Sequence, residues 1–403
     1  MKKTGHTKVQ LGEIATVFSG FAFKSSDLGS SGIPVIKIGN IQAGCVQSRC
    51  ADHFPRELFT GKLDRYVLQQ GDSLVAMTGA GSVGKFGRML KVSQRFLVNQ
   101  RVGIIRPDKA KCDPAFVFYV LSLPNYEKTL YAQGLGAGQP NVSAKQISDL
   151  ELPFPPLKTQ RCIASILSAY DDLIENNTRR IAILEEMARR IYEEWFVRFR
   201  FPGHEQVKMV EPELGLIPEG WSYQPLGVLA EVQWGDTTKT KKAYVKDGFT
   251  AYSASGPDGK LSYFDFDREG IVLSAIGNVG LTWFARGKWS CIKNTIKFWA
   301  RSEQGVSNSF LYFATKSPDF WPKRGAAQPF ISLGDARACK VLTPAETLVH
   351  KFDHTVAPMF KLVDSLSNKN TNLRTTRDLL LPKLISGELD VSNLPEPEEA
   401  IAA

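Results

Sequence analysis

Gly79-Ala80-Gly81-Ser82-Val83-Gly84-Lys85 satisfies two phosphate-binding patterns at once, GxGxxG and GxxxxGK. In both, glycines let backbone amides approach a phosphate, and a following helix offers its N-terminal N–H groups. The second pattern also needs Ser or Thr after the lysine to hold magnesium, and Phe86 stands there. Phe86-Gly87-Arg88-Met89-Leu90-Lys91-Val92 then alternates as a strand does. The stretch reads as a tight strand–strand turn, with a P-loop-like nucleotide-binding enzyme as the rival. His350 and His354 are four apart, but no Glu, Cys or third His accompanies them as a ligand set, so solvated helix histidines are expected. No Asn-Pro-Pro-aromatic tetrapeptide of the kind used for methylating amino groups occurs, and none of the five histidines stands in a recognisable nucleophile context.

Contact chemistry is more legible than bond-making chemistry. The chain carries a net charge of +9, and it is unevenly placed. Residues 1–150 hold 19 Lys and Arg against 10 Asp and Glu, and residues 201–345 hold 17 against 14. Excess positive charge outside the helical segments points to a polyanion, most commonly nucleic acid. Arg, Lys, Asn and Gln on groove-facing loops are the side chains that read bases and hold phosphates. Candidates in the first half are Lys24, Lys37, Lys85, Arg88, Asn99, Gln100 and Arg101. In the second they are Lys239, Lys241, Lys242, Asn278, Lys293 and Asn294. Each could equally be a solvated surface residue, or, for Asn99 and Asn294, a structural amide at a strand end.

Positioning these residues falls to a repeated scaffold. Pro156 to Arg200 predicts one long amphipathic helix with a 4-3 seam: Ile163, Leu167, Tyr170, Ile174, Asn177, Ile181, Leu184, Ala188, Ile191 and Trp195. Such a repeat held over four heptads marks a coiled coil. An offset of 189 gives a second seam: Phe352, Val356, Met359, Val363, Leu366, Asn370, Leu373, Arg377, Leu380 and Leu384. Pro358 and Pro382 should kink or stop that helix, making it the shorter one, and Arg377 should weaken its end. Whether Asn177 meets Asn370 is left open. Ahead of each helix come short strands, glycine turns and one short apolar helix (Phe116–Leu121; Phe310–Thr315), which makes an α+β fold. The expected division is a first domain at 1–155, a helix at 156–200, a surface linker at 201–220, a second domain at 221–345, a helix at 346–390 and a flexible tail at 391–403. No apolar run is long enough for a signal peptide or membrane span, and the six cysteines form no CxxC pair; a cytoplasmic protein with free thiols is expected.

With these features in place, the chain resembles the specificity subunit of type I restriction–modification systems over essentially its whole length. The resemblance rests on GDSLVAMTGAGSVGK, QPNVS, LPFPPLKTQRCIASILSAYDDLI, EEWFVRFRFPG, LGLIPEGW and NLRTTRDLLLPKLISGELDV. Thr159 and Thr375 depart from it, standing where an acidic and an aliphatic residue are usual. It implies two α/β target recognition domains separated by two long helices that form an antiparallel coiled coil. It further implies a non-catalytic chain that recognises a bipartite site in double-stranded DNA and docks methyltransferase (M) and restriction/translocase (R) subunits. Adenine methylation would use AdoMet, ATP and Mg held by those partners, with no cofactor in this chain. Arg179, Arg180, Glu185, Glu186, Arg189 and Arg190 are candidates for partner contact, with solvated i,i+4 pairing as the alternative. Forty residues at about 1.5 Å each would make a rod of about 60 Å, suited to fixing half-site spacing. A coiled-coil scaffold without a DNA role is the remaining alternative.

Overall fold

A computed structural model describes residues 7–42, 44–135, 138–211 and 215–395. The chain divides into two compact units, residues 1–178 with 368–403 and residues 179–367. The division falls within the long helices and not at their ends. The first long helix is Leu157–Tyr192, closed by a π-turn at Glu193–Val197. The second is Glu346–Ile385.

In the first unit six strands carry the site: β1 (Ala15–Ser19), β2 (Ile33–Ile36), β3 (Ser73–Ala76), β4 (Phe86–Arg88), β5 (Leu97–Val98) and β6 (Val102–Pro107). β1, β6, β3 and β4 lie side by side, antiparallel throughout, and β2 pairs parallel with β5. Helix α1 (Pro114–Leu121) begins with proline in its first turn, and the Asp113 carboxylate accepts the Phe116 N–H. It packs with Val75, Phe86 and Ile105 of the sheet and with Ile163 and Leu167 of the first long helix in one apolar core.

The second unit repeats the plan with β7 (Ala230–Trp234), β8 (Phe249–Ser253), β9 (Gly270–Ser274), β10 (Thr282–Ala285), β11 (Lys288–Cys291) and β12 (Thr295–Ala300). Its sheet order is β7, β12, β9, β10, again antiparallel, and β8 pairs parallel with β11. Helix α2 (Asn308–Ala314) takes the place of α1, capped by Ser307. Stretch 201–220 is more than a surface linker: Met209–Val210 pairs with Ile217–Pro218, and Phe201, Ile217 and Trp221 are buried in this unit's core. Val391 likewise belongs to the core of the first unit, while residues 396–403 of the expected tail lie outside the described residues.

Within each unit, segments of the two long helices run antiparallel. In the first, Asn177 Nδ2 donates to Asn370 Oδ1 at 2.9 Å, so the two asparagines do meet. Stepping outward from that pair by threes and fours sets Tyr170 opposite Arg377 and Ile163 opposite Leu384. Leu384 accordingly shares a core with Ile163. In the second unit the Trp195 and Phe352 rings lie 6.2 Å apart.

The second helix is neither kinked short nor the lesser of the two, at 40 residues against 36. Pro358 and Pro382 both sit on its exposed side. There, water can satisfy the carbonyls freed four residues earlier. The buried seam on the opposite side, from Phe352 through Val363 to Leu384, outweighs the local cost. Arg377 does not weaken the end either, because it ion-pairs with Asp171 of the first helix at 2.5 Å.

Candidate nucleic-acid interface

Glycine decides where the candidate residues go. Beyond β1, Gly20 donates its N–H to Val102 O, and Phe21 donates to Val98 O. A β-carbon on Gly20 would run into the carbonyl oxygens of Val98 and Asn99, so the chain can pass here only without one. Asn99 N–H in turn bonds Ile36 O at the end of β2. Three strand ends are thereby laced together, and the turn Asn99-Gln100-Arg101 is held at their meeting point.

The second unit makes the same lacing. Gly235 N–H bonds Thr295 O, Asp236 N–H bonds Cys291 O, and Ile292 N–H bonds Tyr252 O. Gly235 is hemmed in by Ile292 O and Thr295 Oγ1 just as Gly20 is. The turn Ile292-Lys293-Asn294 therefore corresponds to Asn99-Gln100-Arg101. Asn294 is the partner of Arg101, and not of Asn99 as their shared residue type suggests.

In the first unit Lys24 is exposed, and Lys37, Asn99, Gln100 and Arg101 line one shallow cleft. Lys37 is ion-paired with Asp52 at 2.7 Å, and Asn99 Oδ1 accepts the Arg101 N–H at 3.2 Å. Lys85 ends the turn between β3 and β4, which runs directly from strand to strand, so no helix N-terminus faces a phosphate there. Arg88 is turned inward. It packs 4.6 Å over the Tyr119 ring and pairs with Asp171, with 12% of its side chain exposed. Tyr119 also donates to Asp171, at 2.6 Å, and burial pushes its hydroxyl pKa up. The second unit has a related pair one helical turn on, Arg286 bidentate with Asp364.

Ion pairing occupies only part of the positive charge of the first unit. Lys8, Arg106, Lys111 and Lys145 each have an acidic partner. Lys24, Arg56, Lys85, Arg95 and Arg101 have none among the described residues, and all belong to the β-rich stretch from 20 to 101. Arg56 and Arg95 are additions that sequence reasoning missed. They line a second cleft with Gln94, and Arg95 lies 4.5 Å over the Phe59 ring. No local motif marks them; only the fold brings positions 56 and 95 together.

In the second unit Lys242, Lys293 and Asn278 are exposed, Asn278 on the turn between β9 and β10. Lys239 lies 6.0 Å over the Tyr263 ring. Lys241 pairs with Asp258 at 2.5 Å. Burial raises the Asp258 pKa, but hydrogen bonds from Lys241, Tyr244 and Ser253 outweigh it and hold the carboxyl below 3.8. Asn294 adopts φ 69°, a left-handed conformation asparagine tolerates, and its carbonyl accepts the Ala275 N–H. Trp234, Tyr263 and Phe264 are exposed in the same unit, Tyr263 beneath Lys239 and Phe264 beneath Lys288 at 4.8 Å.

A family model described as the type I restriction modification DNA specificity domain matches residues 4–186. Residues 4–186 thus carry a type I restriction modification DNA specificity domain, and the chain is similar over a longer stretch to type I specificity subunits. The MjaIX specificity subunit of Methanocaldococcus jannaschii is 23% identical over 306 residues, covering 69% of this chain and 70% of the relative. The HindI specificity subunit of Haemophilus influenzae is 23% identical over 409 residues, covering 80% and 87%. Among solved structures, the S subunit from M. genitalium superposes with a TM-score of 0.55 at 18% identity, covering 94% of this chain and 95% of that one. This last likeness concerns the fold: two mixed sheet-and-helix units built on paired long helices. Specificity subunits are non-catalytic.

The proposed partner-contact residues lie on the first long helix. Arg179, Arg180, Glu185 and Arg190 are exposed. Glu186 is gripped by Arg189 at 2.7 Å and Arg190 at 2.7 Å, which bring its pKa down to about 2, and Arg189 also pairs with Glu193. Sequence reasoning missed the apolar side chains on the same stretch: Ile183 and Met187, one helical turn apart, are 58% and 45% exposed. They fall outside the seam, which is why a search for the seam passes over them.

Proposed function

We propose that each unit reads one half of a bipartite site in double-stranded DNA, through the loops laced together at Gly20 and Gly235. The observation that carries this reading is the duplicated lacing, which sets different side chains on the same backbone frame in two units. Unpaired cations around the first frame would hold phosphates and supply the salt-sensitive part of binding. The long helices would dock the methyltransferase subunits, with Ile183 and Met187 as the apolar centre and the Glu186 ion-pair cluster as the polar rim. Restriction/translocase subunits would join through those, with AdoMet, ATP and Mg bound by the partners and the whole complex acting in the cytoplasm.

Methylation-site sequencing of DNA from cells with and without this gene tests the reading. A bipartite methylated motif should vanish on deletion; a methylome unchanged by deletion refutes it. Removing one heptad from each long helix should alter the permitted spacer between the half-sites, and an unchanged spacer would refute the spacing role of the helices.

A further inference from the structure

We infer that the two-residue tips Gln100-Arg101 and Lys293-Asn294 are where this protein sets base identity, one tip for each half-site. The inference rests on the bipartite DNA reading and says which side chains do the discriminating.

Four backbone hydrogen bonds place the two tips in equivalent positions. Three are the lacing bonds of the strand ends. The fourth runs from Met77 N–H to Arg101 O at 3.0 Å in the first unit and from Ala275 N–H to Asn294 O at 3.0 Å in the second. The frame is thus fixed from both sides, while what it displays differs between units.

Gln100, Arg101 and Lys293 are exposed, and none has a side-chain partner among the described residues. Their neighbours in the frame are occupied. Lys37 is tied to Asp52, the Asn99 amide caps the Arg101 N–H, and Ile292 is buried. Gln100 carries no charge and so adds nothing to phosphate attraction, whereas its amide can bond both edge atoms of adenine. Arg101 beside it has the fork that matches guanine O6 and N7. Lys293 can reach guanine, and Asn294 presents an amide at the place of Arg101, displaced by its left-handed backbone. One frame with two different tips yields an asymmetric site.

The test is methylation-site sequencing in cells carrying the full-length gene with Arg101→Ala, Gln100→Ala, Lys293→Ala or, as a comparison, Lys24→Ala. Arg101→Ala and Gln100→Ala should each relax one or two positions of a single half-site, with discrimination there falling about 5- to 150-fold. Lys293→Ala should relax the other half only, and Lys24→Ala should lower methylation without changing the motif. Unchanged stringency in both halves, or equal relaxation of both, overturns the inference. Should Arg101→Ala abolish methylation altogether, the exchange Gln100→Arg with Arg101→Gln carries the test. A new base preference in that half supports the inference, and an unchanged preference or continued silence overturns it. A wild-type gene that yields no bipartite motif refutes the underlying DNA reading instead.

Discussion

Replacing Asn177 by leucine while Asn370 remains removes the donor to Asn370 Oδ1 and leaves that acceptor inside the helix seam. Both asparagines are buried, at 8% and 3% exposure. Asn370 Nδ2 keeps its weaker contacts to Ile174 O and Thr178 Oγ1, each at 3.3 Å, so the loss is confined to one acceptor. An unsatisfied buried acceptor costs about 1–3 kcal/mol. The new leucine recovers part of this by burying apolar surface, leaving a net destabilisation of about 1–2 kcal/mol. In a unit of about two hundred residues that lowers Tm by roughly 2–8 °C. Changing both residues removes the whole polar layer and buries two leucines, each worth about 1.5–3 kcal/mol. The double variant should therefore be at least as stable as the wild type. The assay is a double-mutant cycle by urea denaturation of the full chain, following the transition that includes the first unit. Coupling should exceed about 1 kcal/mol. Effects that add to within about 0.5 kcal/mol would mean that the two amides do not share a layer. The double variant should also pair its helices less selectively, since a buried amide pair penalises every shifted register.

Other expectations follow from single features. Asp171→Asn leaves Arg88 and Arg377 without their shared carboxylate and should destabilise the first unit by about 3 kcal/mol, read as a shifted urea midpoint; a shift under about 1 kcal/mol would show the cluster to be solvated. Ile183→Asp with Met187→Asp should leave the melting temperature of the isolated chain unchanged while abolishing co-purification of the methyltransferase subunit. If co-purification persists, that face is not the contact. Asp258 has its carboxyl pKa lowered in the folded chain, so its contribution is present above its unfolded value of 3.8 and is lost as pH falls through the lower folded value. Asp258→Asn should flatten that acid limb of stability, and identical acid profiles would exclude the linkage. Duplex affinity should fall steeply with salt, and Arg56→Ala with Arg95→Ala should make the slope of log K against log salt shallower by up to about 2; an unchanged slope would remove that cleft from the phosphate track.

Much of the architecture could be read from residue patterns alone. The 4-3 seams, the strand-to-strand turn at Gly79–Lys85 and the short apolar helices all depend on neighbours within a few positions. What escaped depends on partners far along the chain. Antiparallel stepping that aligns the two seam asparagines also aligns all ten seam layers, but the sequence repeat itself invites a head-to-head comparison that separates them. Arg377 looks like a defect until Asp171 is set against it. Pro358 and Pro382 look like breaks because their local cost is visible, while the seam that outweighs it is a property of two helices. The correspondence of Asn99 with Ile292 was hidden for a related reason: backbone hydrogen bonds define it, and the side chains at the two positions have nothing in common.

The first unit is completed by residues 368–403, whereas the second is continuous from 179 to 367. On a ribosome, the second unit would have its whole sequence available while the first still lacks Leu381, Leu384 and Ile385 of its core. The part of the chain made first is the part finished last. A stop codon near residue 368 would spare the second unit and damage the first, leaving the face of Ile163 and Leu167 uncovered and open to chaperones or to the wrong helix.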